Sequence, residues 1–250
     1  MKCRDYDLEV GKRDIDDRKK VKLAGRLINP SKRSDALLFV AAGFNSPHEP
    51  YLEYFGEVLG KEFNVYVTEL RGRGKITSGD DLRRDFQQVE EQARDIAETD
   101  KVVHIGHSMG MAVTMGAKAE YGITSRGLYG VCAYPNFGDT RGSYFTKKAV
   151  DLASLFDRGP LIRLDKAGEI EDPLRFVVGG NDWVLRTYDP KVLEKIVSFF
   201  KGYPNSTVGV YPQMNHCFNF KQKDWTPFNR DDPDVLVGDV REFVSGLDFS

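Results

Sequence analysis

Apolar positions along the chain follow two rhythms that take turns. Residues 5–10 and 20–28 alternate apolar and polar positions around a charged turn, the pattern of an antiparallel pair at a sheet edge. Residues 36–41 are an unbroken apolar run, as expected of a central parallel strand buried on both faces. Residues 50–61 place Leu52, Phe55, Val58 and Leu59 at helical spacing, and 63–70 returns to a strand pattern. Residues 80–97 put Leu82, Phe86, Val89, Ala93 and Ile96 on one helical face, with Asp80 as the cap. The Arg, Gln, Glu and Asp residues opposite are expected to be a solvated surface. A β-branched strand at 101–105, a helix at 111–121 closed by Gly122, and a strand at 126–134 follow. The last elements are a strand at 174–178, a helix at 190–200, a strand at 207–211 and a helix at 233–247. Only residues 136–172 interrupt the alternation. Within them Phe145, Ala149, Leu152 and Phe156 have helical spacing, Ser143 can cap that helix, and Gly159-Pro160 ends it. The pattern predicts one α/β domain over 1–250, a mostly parallel sheet with helices on both faces.

In such sheets functional groups collect beyond the carboxyl ends of the strands. Ala42, Ser108, Asp182 and His216 each fall just past a predicted strand. The most informative of these positions is Gly106-His107-Ser108-Met109-Gly110, a serine between two glycines at a strand-to-helix turn. A turn that tight strains the central residue and presses its neighbours against the sheet. Positions 106 and 110 must therefore be small. The same turn lifts the Ser108 hydroxyl clear and sets the Met109 N–H at the positive end of a helix.

Serine is a weak nucleophile at neutral pH and needs a base. The chain has four histidines. His104 lies within the predicted strand and is expected in the core. His107 adjoins Ser108, but neighbours on this turn point apart. His48 either edges the site or is an exposed loop residue. His216, in the loop between the last strand and the last helix, is the candidate general base. A base needs a carboxylate to hold its tautomer. Asp182, in Gly179-Gly180-Asn181-Asp182, is the first choice, although that context also suits a turn-capping aspartate. Asp139 is the second. An oxyanion needs two donors. Met109 N–H is one, and Phe44 N–H, beyond Gly43, is the other.

Composition narrows the class. At 250 residues, 40% hydrophobic and 30% charged, the chain suits a soluble globular domain with a sizeable core. A net charge of -2 and a pI near 6.1 give no support for a nucleic-acid partner. The longest mostly apolar run, 36–44, is too short to span a bilayer. The charged first 20 residues do not look like a signal peptide, and Cys3, Cys132 and Cys217 are scattered. Both features suggest a reducing, cytoplasmic setting. There is no Walker loop, no H-E-x-x-H and no metal-ligand spacing of cysteines, so no cofactor or metal is expected. Arg71 and Arg73 can meet an anionic substrate group or simply be solvated.

The order Ser108, Asp182, His216, with Gly180-Asn181-Asp182, Asn215-His216 and Glu69-Leu70-Arg71-Gly72-Arg73-Gly74, resembles the α/β-hydrolase superfamily over roughly 20–247. The resemblance implies an α/β-hydrolase fold with a central sheet of about 7–8 strands. It implies a small lid at 136–172, and a serine hydrolase that cleaves a small carboxylic ester or thioester through an acyl-enzyme. Tyr134, Phe137, Tyr144, Phe145 and Phe156 would line an acyl pocket or pack the lid on the body. Ala42 departs from the pattern: many members have histidine before the oxyanion glycine. The backbone donor does not depend on that side chain, but any hydrogen bond the histidine would make is missing. Amide or C–C bond hydrolysis on the same residues is an alternative activity. A non-catalytic ligand-binding protein is an alternative class. Oligomeric state is not encoded in any pattern found.

Overall fold

Leu37–Ala41, strand β3, is buried at all five positions and lies between two parallel neighbours. The computed structural model describes residues 2–10, 21–29, 35–43, 46, 48–70, 79–133, 170–216 and 233–249. Among these are seven further strands: β1 (Lys2–Val10), β2 (Val21–Asn29), β4 (Asn64–Thr68), β5 (Val102–His107), β6 (Gly127–Val131), β7 (Leu174–Gly179) and β8 (Ser206–Tyr211). All eight form one sheet in the order β1-β2-β4-β3-β5-β6-β7-β8. The pairs β1–β2 and β2–β4 are antiparallel, which puts the expected hairpin at one edge. The remaining pairs are parallel.

Side chains of β3 divide by parity between two cores, as a pleated strand requires. Leu37, Phe39 and Ala41 pack with Leu82, Phe86, Val89 and Ala93 of helix Gly79–Ala97. Leu38 and Val40 pack on the other face with Tyr51, Leu52 and Phe55, in a core that also takes Leu236, Val240 and Val244 of helix Pro233–Ser245. The sheet is thus covered on both sides at its centre, where β3, β4, β5 and β6 are buried at every position.

Strand order places the site. From β3 the chain steps to β4 on one side. It then returns by helix Gly79–Ala97 to β5 on the other side of β3. This reversal opens a crevice beyond the carboxyl ends of β3 and β5. Ala42-Gly43 leaves one of those ends and Ser108 the other.

Three local expectations need correction. The stretch 50–61 is not a uniform helix: Glu49–Tyr51 and Glu57–Leu59 flank a π-helical turn, Leu52–Gly56. Helix Gly79–Ala97 starts one residue before Asp80, which therefore lies inside it rather than at its cap. The polar face of that helix is partly buried. Arg83 donates to Glu120 at 2.5 Å, and Glu90 accepts from Arg94 at 2.6 Å and faces His104 at 3.2 Å. Helix Met109–Tyr121 and β5 supply these partners, so the charges are desolvated in pairs.

Candidate active site

Ser108 joins β5 to helix Met109–Tyr121 at φ 52° and ψ -118°, a conformation that costs an L-residue on the order of 1–3 kcal/mol. Its N–H donates to Val131 O at 2.9 Å, which ties the turn to β6. The flanking glycines have separate steric reasons. A Cβ on Gly106 would lie 2.4 Å from Met111 Cα, and one on Gly110 2.3 Å from Ala41 O. Both obstacles are backbone, so neither can rotate away. As the first residue of its helix, Met109 carries an N–H with no intrahelical acceptor.

Asp182 sits past β7, fully buried. Its Oδ1 accepts from the N–H groups of Val184 at 2.8 Å and Leu185 at 2.9 Å, closing a tight turn. Its Oδ2 lies 2.7 Å from His216 Nδ1. One carboxylate oxygen therefore caps the turn and the other bonds the His216 ring. Thr187 braces the turn from within, since its Oγ1 accepts from Asp182 N at 3.0 Å and donates to Gly179 O.

His216 follows β8. Its loop lies against the acid turn, where Asn181 N–H donates to Met214 O at 3.1 Å. The approach leaves no room for side chains at 179 and 180. A Cβ there would come within 2.3 Å of Met214 O and 2.7 Å of Pro212 Cα respectively. From this loop His216 Nε2 reaches Ser108 Oγ at 3.0 Å. Ser108, His216 and Asp182 thus form one hydrogen-bonded line. The serine hydroxyl donates to Nε2, and Nδ1–H donates to the carboxylate. Ser108 and His216 are each 8% exposed and Asp182 is fully buried, so the line runs inward from the serine to the acid.

Other candidates fall as follows. His104 is buried between Glu90 and Ser125, 3.2 and 3.0 Å away. His48 is partly buried, not exposed, and pairs with Glu69 at 2.7 Å. His107 points away from Ser108, with Nδ1 2.6 Å from Tyr51 Oη and Nε2 2.8 Å from His216 O. After β3, Ala42 N–H donates to Thr68 O at 3.1 Å, and Gly43 N–H donates to Tyr51 Oη at 2.9 Å. Phe44, Arg71, Arg73, Asp139 and nearly all of 136–172 lie outside the described residues. Two neighbours had no sequence signal. Tyr51 comes from the helical stretch before the π turn. Cys132, buried at the end of β6, has Sγ within 4.8 Å of the Asp182 and His216 ligand atoms. An open hollow of about 390 Å³ lined by Leu174, Thr207 and Asp239 lies at the starts of β7 and β8, the opposite edge from Ser108.

Burial holds His104 and His107 below the ordinary imidazole value, the Glu90 hydrogen bond only partly offsetting this for His104. Each holds a proton less readily folded than unfolded, so unfolding below about pH 6.5 is coupled to proton uptake. The unfolded chain then binds more protons, so stability is full above that pH and falls as the pH drops toward the depressed native values. Melting temperature is expected to decline between about pH 7 and pH 5, and His104→Gln to flatten that decline. A wild-type melting temperature unchanged across this window would refute it.

No family model matches the sequence, and no curated protein does. Solved structures do match. Est1E from Butyrivibrio proteoclasticus superposes with a TM-score of 0.68 at 17% identity, over 95% of this chain and 97% of that one. The Pyrococcus furiosus esterase Pf2001 gives 0.68 at 22% identity, over 97% and 92%. A dienelactone hydrolase from Anabaena variabilis gives 0.63 at 15%, over 98% of both. The chain has the α/β-hydrolase fold. No helix among the described residues is long and apolar enough to cross a membrane.

Proposed function

We propose that this protein is a serine hydrolase that cleaves small carboxylic esters, or thioesters, through an acyl-enzyme on Ser108. The observation that carries the reading is the line Ser108–His216–Asp182, with links of 3.0 and 2.7 Å, at the crevice where strand order reverses. Ser108 Oγ attacks the carbonyl carbon while His216 Nε2 takes the hydroxyl proton. Asp182, already bonded to Nδ1, stabilises the imidazolium. Met109 N–H and Phe44 N–H hold the tetrahedral oxyanion. Collapse expels the alcohol, which leaves with the proton from Nε2. Water then enters, His216 takes its proton, and a second collapse releases the acid and returns the proton to Ser108.

Residues 136–172 are the lid that sets which acyl groups enter. The scattered cysteines suit a reducing compartment, and we place the enzyme in the cytoplasm. Est1E has been solved with ferulic acid bound, so a feruloyl ester belongs among the first substrates to try. The test is a panel of p-nitrophenyl esters of increasing acyl length, methyl ferulate, acyl thioesters and anilides. An ester or thioester is expected to turn over, with a burst of alcohol or thiol near one equivalent per enzyme where deacylation is slow. Turnover of anilides alone, or of no member, would overturn the proposal.

A further inference from the structure

Gly43, His107 and His216 come from three separate segments, yet one unbroken hydrogen-bond chain joins them. Gly43 N–H lies 2.9 Å from Tyr51 Oη, Tyr51 Oη 2.6 Å from His107 Nδ1, and His107 Nε2 2.8 Å from His216 O. With the His107 ring neutral, as its burial favours, one arrangement of protons satisfies every link. A backbone N–H only donates and a carbonyl only accepts. The Tyr51 oxygen therefore accepts from Gly43, its proton goes to His107 Nδ1, and His107 carries its own proton on Nε2 for the His216 carbonyl. That fixes His107 as the neutral Nε2–H tautomer, consistent with the downward pull of burial and of nearby His216 on its protonation.

We propose that Tyr51 and His107 are a positioning pair, holding the turn that enters the oxyanion hole in register with the loop that carries the base. The inference rests on the serine-hydrolase reading above. His107 is bonded directly to Ser108, so the pair references both loops to the nucleophile itself. It sits tightly: a Cβ on Gly43 would lie 3.0 Å from His107 Nδ1 and 3.2 Å from Tyr51 Oη. Both side chains are buried, Tyr51 at 1% and His107 at 6% exposure, where such bonds are short of competing water. Ala42 has no polar side chain to hold this turn. The Tyr51 hydroxyl, arriving from the helical stretch that follows, takes hold of the next residue instead. Neither residue touches the reacting atoms. They act through the placement of the Gly43 turn and of the loop that carries the His216 ring.

The test is kcat and KM of Tyr51→Phe, His107→Ala, His107→Gln and the double variant Tyr51→Phe/His107→Ala. All are normalised to active sites titrated with a fluorophosphonate, so that unfolded protein is not counted. Tyr51→Phe and His107→Ala are each expected to lower kcat per titrated site by about 10- to 10²-fold with KM nearly unmoved. The double variant is expected to lose no more than the worse single one, because one chain is cut either way. His107→Gln, whose amide N–H extends toward the place of Nε2–H, is expected to recover part of the loss. A kcat per titrated site within twofold of wild type in Tyr51→Phe would overturn the proposal and leave the pair as packing. Multiplying effects in the double variant would also overturn it. If His107→Ala does not fold, Tyr51→Phe and His107→Gln decide the question. Wild-type protein with neither fluorophosphonate labelling nor ester turnover would instead sink the underlying hydrolase reading.

Discussion

Ser108→Ala is expected to lower kcat on the best ester by a factor on the order of 10⁶, with the fold intact. The hydroxyl lies 3.0 Å from His216 Nε2, in position to be deprotonated for attack, and alanine removes it. What remains is the slow attack of water on a bound, polarised carbonyl. The size of the loss is diagnostic, because a residue that merely lined a binding cleft would change KM and not kcat. Stability separates the two roles of the turn. Ser108 has φ 52° and ψ -118°, where glycine is at ease and other residues are strained. Ser108→Gly is therefore expected to be just as inactive but more thermostable than Ser108→Ala. Circular dichroism melts of the two variants beside wild type check this. Equal melting temperatures would mean the turn stores no strain.

Asp182 gives the second large effect, and its two oxygens make it informative. Asp182→Asn is expected to reduce kcat by about 10⁴, since an amide nitrogen facing Nδ1 favours the wrong tautomer. Its remaining carbonyl can still accept from Val184 and Leu185 N–H, so the melting temperature should change little. Asp182→Ala removes both functions. It should lose as much activity and also unfold several degrees earlier, because two buried N–H groups lose their acceptor. Equal stability of the two variants would show that the Asp182 turn is held by Thr187 and its neighbours and not by the carboxylate.

Much of this was legible in the chain because burial on both faces of a parallel strand leaves a short unbroken apolar run between turn residues. The runs at 36–41 and 126–134 contain β3 and β6, and following a strand to its end leads to Ser108, Asp182 and His216. The less legible features share one physical cause: their partners lie far away in sequence. Gly179 and Gly180 are small because the loop after β8 crosses them, which a local reading sees only as a turn. Arg83 and Glu90 look solvated on their own helix, and are buried because Glu120 and His104 come to meet them. A period of 3.6 cannot reveal a π turn at Leu52–Gly56, nor that Tyr51 beside it reaches His107 across 56 positions. His107 points away from Ser108, and the bonds it makes on its other side leave no local signal in the sequence. Cys132 looked like a stray thiol, and strand β6 delivers it next to the acid and the base.

The central claim, that Ser108 is an activated nucleophile, is tested most directly by intact-mass spectrometry after treatment with a fluorophosphonate, followed by peptide mapping. The expected result is a single adduct on Ser108 in wild-type protein, absent from Ser108→Ala and strongly slowed in His216→Ala. An unmodified wild-type protein, or an adduct that persists at the same rate in Ser108→Ala, would contradict it.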